Sequence, residues 1–169
     1  MPGTPDPVVG SDAATFAVAC GVGALAASLP YAFRGRLAAP RRVALGGGVA
    51  SAALGLGAWA GARFATNSFA PSLLGSPEHF LGLLAWSALV LGAQAGLALY
   101  LFARWGLAVP LAELLAGTTL VLYAFLRVRG ESDPLALYAL FFGPLFVAGM
   151  LAASLAELGV RRAVARARG

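Results

Sequence analysis

The sequence predicts an all-α, polytopic transmembrane helix bundle of about five spans, with the N-terminus outside and the C-terminus cytoplasmic. Three observations carry that prediction. Hydrophobic residues make up 60% of the 169-residue chain and charged residues only 11%. Five apolar runs reach spanning length, and the arginines divide unequally between the run ends.

A soluble domain is about 45–50% apolar and about 25% charged, because water must wet its surface. Here there is too little charge to cover a globule of this size, and the mean hydropathy is +0.82. Lipid is therefore the expected solvent for much of the surface, and one bundle the expected domain. The net charge of +5 and pI near 10.4 would point to nucleic acid in a soluble protein. All twelve basic residues are arginines at or near run ends, so membrane topology explains them and no nucleic-acid partner is expected. The single cysteine, Cys20, excludes an internal disulfide.

Residues 1–12 read as a flexible tail with three prolines, two glycines, Asp6 and Asp12. No positive n-region precedes the first run, so signal-peptide cleavage is not expected. Spanning runs follow at about 13–33, 43–62, 78–103, 107–128 and 134–159, each near the ~20 residues a helix needs to cross hydrocarbon. They do not alternate with period two, and lone strands would leave open edges in lipid. Ser76-Pro77-Glu78 opens the third run as an N-cap, a first-position proline and a dipole-matched acid. Ser132-Asp133-Pro134 repeats the device for the fifth, Asp133 as cap, and Gly130 ends the fourth. Gly143-Pro144 should bend run five near its middle, because proline removes a ladder bond and crowds the preceding turn. Residues 161–169 form a basic tail continuing that helix, suited to anionic headgroups at the cytoplasmic face.

Orientation follows from the arginines. Arg34, Arg36, Arg41, Arg42, Arg104, Arg161, Arg162, Arg166 and Arg168 fall on one side, against Arg63, Arg127 and Arg129 on the other. The acids Asp6, Asp12, Glu78, Glu131 and Asp133 join the smaller group. Tyr31, Tyr100 and Trp105 then lie near the inner interface, and Trp59, Tyr123 and Tyr138 near the outer one. Trp86 fits neither belt.

Helices associate in lipid where small residues let backbones approach. Run two offers Gly47, Ser51 and Gly55 as one row and Ala53, Gly57 and Gly61 as another; run three offers Ala88, Gly92 and Gly96. These rows suit packing within the bundle or a seam to a second copy or another membrane subunit.

An ionisable group inside a membrane is a functional candidate. Glu113 is the best one, either a proton- or cation-binding carboxylate that meets Tyr100 or Arg104, or an acid in the first turn of a helix beginning at Pro110. Gln94 lies near mid-membrane, about 200° around the helix from the Gly92 and Gly96 seam, and reads as interhelical glue or a ligand. Glu157 and Arg161 suit an i,i+4 pair. Tyr138 and Ser154 fall on nearly opposite faces of run five at the regular period. His79 stands alone, so no metal site is expected, and no cofactor or catalytic motif is present. The leading expectation is a non-enzymatic structural or accessory subunit of the cell membrane. A small carrier using Glu113, Gln94 and Tyr100 is the alternative, and an intramembrane lipid-modifying enzyme the third.

Overall fold

A computed structural model describes residues 6–37, 39–68, 77–129 and 133–168. Ser76, Gly130 and Ser132, read above as boundary residues, and Glu131, read as an acid of the outer side, lie outside them. Five helices stand where the five runs were read: α1 (Asp12–Ala32), α2 (Pro40–Ala65), α3 (Pro77–Trp105), α4 (Val109–Phe125) and α5 (Pro134–Ala167). All but α4 are long and apolar enough to cross a membrane, so the protein is a multi-pass membrane protein. Segments β1 (Asp6–Pro7) and β2 (Arg127–Val128) add one short antiparallel ladder.

The ends have local causes. Ser11 caps α1, its Oγ accepting from the Ala14 N–H at 3.1 Å, and Asp12 follows at the positive end of the dipole. Pro40 opens α2 in place of the expected residue 43, since a first-turn proline loses no helix bond. Run four is shorter than the expected 107–128. Gly106 turns the chain at φ +64, and the backbone after Phe125 is taken by the ladder, where the Val8 N–H donates to the Leu126 carbonyl. Residues 6–11, read as part of a loose tail, are thus tied to the end of α4.

Helix α3 runs through the centre, its buried face extending from Ser87 to Phe102. It packs against α2, α4 and α5, while α1 lies mainly on α4. Backbones meet at the α2–α3 contact. A Cβ on Gly48 would lie 2.7 Å from the Gly92 carbonyl oxygen, and one on Gly96 would lie 3.0 Å from that of Ala44. The α2 row at this contact is therefore Ala44, Gly48 and Ala52, a third row that the reading of α2 missed. Gly55 abuts the Leu91 side chain, and Gly57 and Gly61 meet nothing within 4 Å. Those two glycines lie about 180–220° around α2 from Gly48, on its outer face. Helices α1 and α4 run antiparallel: Phe16 meets Tyr123 edge-on at 5.7 Å, and a Cβ on Gly23 would press the Leu115 carbonyl at 2.8 Å.

Just before Gly143-Pro144, where a bend is expected, α5 carries a π turn over Tyr138–Phe142. Pro144 has no N–H to give, and its ring would crowd the carbonyl of residue 140. The backbone widens by one residue, so the Gly143 N–H reaches back to the Tyr138 carbonyl rather than that of Ala139. The released Ala139 carbonyl accepts the Trp86 indole N–H at 2.9 Å. That bond accounts for the tryptophan that suited neither interface. The extra residue also shifts the phase of α5 by about 100°, and Tyr138 and Ser154, expected on opposite faces, are both buried.

Candidate functional site

Among the described residues the buried polar side chains are Thr15, Arg63, Ser87, Gln94 and Ser154, and all but the Ser154 hydroxyl have a hydrogen-bond partner. Gln94 leaves α3 on the side facing α4 and α5 and is 5% exposed. The Tyr138 hydroxyl, at the start of the π turn, donates to its Oε1. Gly117 on α4 makes room for the amide, because a Cβ there would collide with Gln94 Nε2. One amide thus joins three helices, satisfying a group that would otherwise be costly in an apolar interior. Tyr138, expected near the outer interface, is 3% exposed and edge-on to Phe125 at 6.0 Å.

Beside Gln94 lies a cavity of about 10 Å³, bounded among others by Ser51, Gly117 and Thr118. A single water needs roughly 10–15 Å³. Neither Glu113 nor Tyr100 lines it. Glu113 is half-buried on α4 and makes no hydrogen bond or ion pair among the described residues. Tyr100 faces the other way, toward Arg41 and Arg104, with its ring edge-on to Trp105 at 6.0 Å. Glu113, Gln94 and Tyr100 therefore occupy three separate environments, and the expected approach of Glu113 to Tyr100 or Arg104 is not made. The reason is register. Tyr100 lies six residues beyond Gln94, about 240° around α3.

Two carboxylates do structural work beyond the roles read from local spacing. Glu157 on α5 accepts the Ala108 and Val109 N–H groups at 3.0 and 2.9 Å, capping α4 from another helix. It also pairs with Arg161 at 2.6 Å, and Arg161 in turn donates to the Gly106 carbonyl at 3.1 Å. The dipole-matching role considered for Glu113 thus belongs to Glu157, because α4 begins at Val109 and places Glu113 beyond the first turn. At the opposite end Asp133 Oδ1 caps α5 through the Leu135 N–H at 2.8 Å. The same oxygen accepts the Trp59 indole at 3.1 Å and Arg63 at 3.5 Å. Arg63 stacks over the Trp59 ring at 4.6 Å. Trp59 and Arg63 stand four apart on one face of α2, a signal that they share a partner but not which one.

On the outer surface, α2 and α3 flank an apolar groove of about 1050 Å³ floored by Gly48, Gly92 and Gly96. Ala88 lines it beside Leu89. At one end it meets a second recess of about 380 Å³, formed by Ala39, Pro40, Arg41, Arg42, Tyr100 and Arg104. Among the described residues no cluster of histidine, cysteine or acidic side chains is arranged to hold a metal ion. Compared with known proteins, the chain matches no family model, no curated protein and no solved structure.

Proposed function

We propose that this protein is a non-enzymatic structural or accessory subunit that works by associating with other transmembrane helices along the outer face of α2. One observation carries the reading: the space at the buried polar centre holds a single water at most. A carrier needs a polar site large enough for its solute, and Glu113, the carboxylate that would serve one, stands apart from Gln94. The outer face of α2 supplies the complementary feature. Gly46, Gly57 and Gly61 are exposed there with nothing against them, on a surface where a neighbouring helix can approach closely.

The accompanying topology has five spans, the N-terminus outside and the C-terminus in the cytoplasm. Helix α4, at 17 residues, is only about 25 Å long, less than the ~30 Å hydrocarbon core. Its crossing is supported by its two ends, one held by Glu157 near the far end of α5, the other by Asp6–Pro7 near the start of α1. Orientation rests on the excess of arginines at the end bearing Arg41, Arg42 and Arg104.

Crosslinking in native membranes tests the association. Gly57→Leu and Gly61→Leu should each reduce crosslinked species, whereas Gly21→Leu on the open surface of α1 should not. Recovery of the unsubstituted chain only as an isolated monomer would sink the reading. In proteoliposomes Glu113→Gln should change no ion or proton flux; a pH-dependent flux abolished by it would install the carrier instead.

A further inference from the structure

We propose that the groove between α2 and α3 holds an anionic phospholipid, its phosphate in the arginine recess and one acyl chain along the glycine floor. The inference begins with electrostatics at the start of α2. A helix N-terminus carries partial positive charge and unsatisfied N–H groups, so acids are favoured there and cations disfavoured. Helix α2 does the reverse. Its first turn carries Arg41 and Arg42, has no acidic residue, and has no side-chain cap. Arg104, from the last turn of α3, faces the same recess. None of these three arginines is paired with an acid or hydrogen-bonded among the described residues. Three cations and a helix N-terminus converge on one recess with no counter-charge from the described residues. A phosphate supplies that charge, accepting from guanidinium groups in the geometry they favour.

The recess does not stand alone. Arg41 and Tyr100 belong to both cavities, so the anion site opens directly into the apolar groove. The floor of the groove is the close contact of the α2 and α3 backbones at Gly48, Gly92 and Gly96, and Leu45, Val49 and Leu89 form its rims. An anion with a long apolar tail fits both halves at once. The bilayer supplies such a molecule, an anionic glycerophospholipid. The rim of α2 that faces this groove, Leu45, Val49, Ala53 and Leu56, lies roughly 60–140° around the helix from Gly48. Gly57 and Gly61, at about 180–220°, do not line the groove, so this inference does not rest on the association reading.

The full chain, purified in detergent and reconstituted in nanodiscs of phosphatidylcholine with a minor fraction of phosphatidylglycerol, provides the test. Native mass spectrometry after release would read the lipid retained. Phosphatidylglycerol should be enriched over its bulk fraction. Arg41→Gln and Arg104→Gln should each reduce that enrichment about fivefold, near 1 kcal/mol for an arginine at an anionic headgroup. Arg162→Gln with Arg166→Gln, in the basic tail, should leave it unchanged. Ala93→Phe, which fills the groove without touching an arginine, should displace the lipid while the protein still elutes as one species. Equal retention of the two lipids by the unsubstituted chain would overturn the proposal. So would a loss from the tail variant as large as that from Arg41→Gln, or a groove occupied by a second copy whatever the lipid.

Discussion

The two ends of the bundle treat charge in opposite ways. At the end bearing Asp133, each arginine faces an acid: Arg63 meets Asp133 at 3.5 Å, Arg127 meets Asp12 at 3.2 Å, and Arg129 meets Asp6 at 3.5 Å. At the other end Glu157 is occupied by the α4 N-terminus and Arg161, while Arg41, Arg42 and Arg104 have no acid among the described residues. The first end is closed by contacts within the chain. The second leaves three arginines without an acid among the described residues. The same residue type thus serves as an internal fastener at one end and as a demand on the surroundings at the other.

That contrast is best broken at Asp133. Replacement by alanine removes a helix cap and leaves the Trp59 indole and the Arg63 guanidinium without their shared acceptor. A loss of about 3 kcal/mol is expected, read by thermal unfolding in detergent followed by circular dichroism. Asp133→Asn, which keeps an acceptor for the cap, should lose clearly less. At the opposite end Glu157→Ala uncaps α4 and frees Arg161, for about 1–2 kcal/mol in the same measurement. A loss there equal to that of Asp133→Ala would erase the distinction between the ends. In the middle, Tyr138→Phe should cost about 0.5–1 kcal/mol, the usual scale for an interhelical hydrogen bond in lipid, and combining it with Gln94→Leu should be less than additive. The smallest effect belongs to Arg129→Gln. Its pair with Asp6 is 62% exposed on both sides, so less than about 0.5 kcal/mol is expected, fading further with added salt.

The five helices were legible because spanning length depends on composition and local order, which a single chain displays in full. So was Asp133 as a cap, since it follows from backbone chemistry within one turn; Pro144 marked a disturbance of α5, though as a bend rather than as the π turn it is. The partners were less legible. Helix α2 carries small residues on several faces, and only the position of α3 selects the row of Ala44, Gly48 and Ala52. The link from Tyr138 to Gln94 spans 44 residues and that from Glu157 to Ala108 spans 49, distances over which periodicity carries no information. Glu157 looked complete with Arg161 four residues away, which hid its second task. Glu113 drew attention as a lone acid inside an apolar run, and the sequence held no means of telling that its neighbours on α3 turn elsewhere.

The bond from Trp86 to the Ala139 carbonyl has a spectroscopic consequence. Indole emission moves with the field around its N–H, and here that group reports on a carbonyl freed only while the wide turn of α5 persists. With Trp59 and Trp105 changed to phenylalanine, the remaining fluorophore would register straightening or sliding of α5 against α3 as a colour change, in a membrane and without an attached dye.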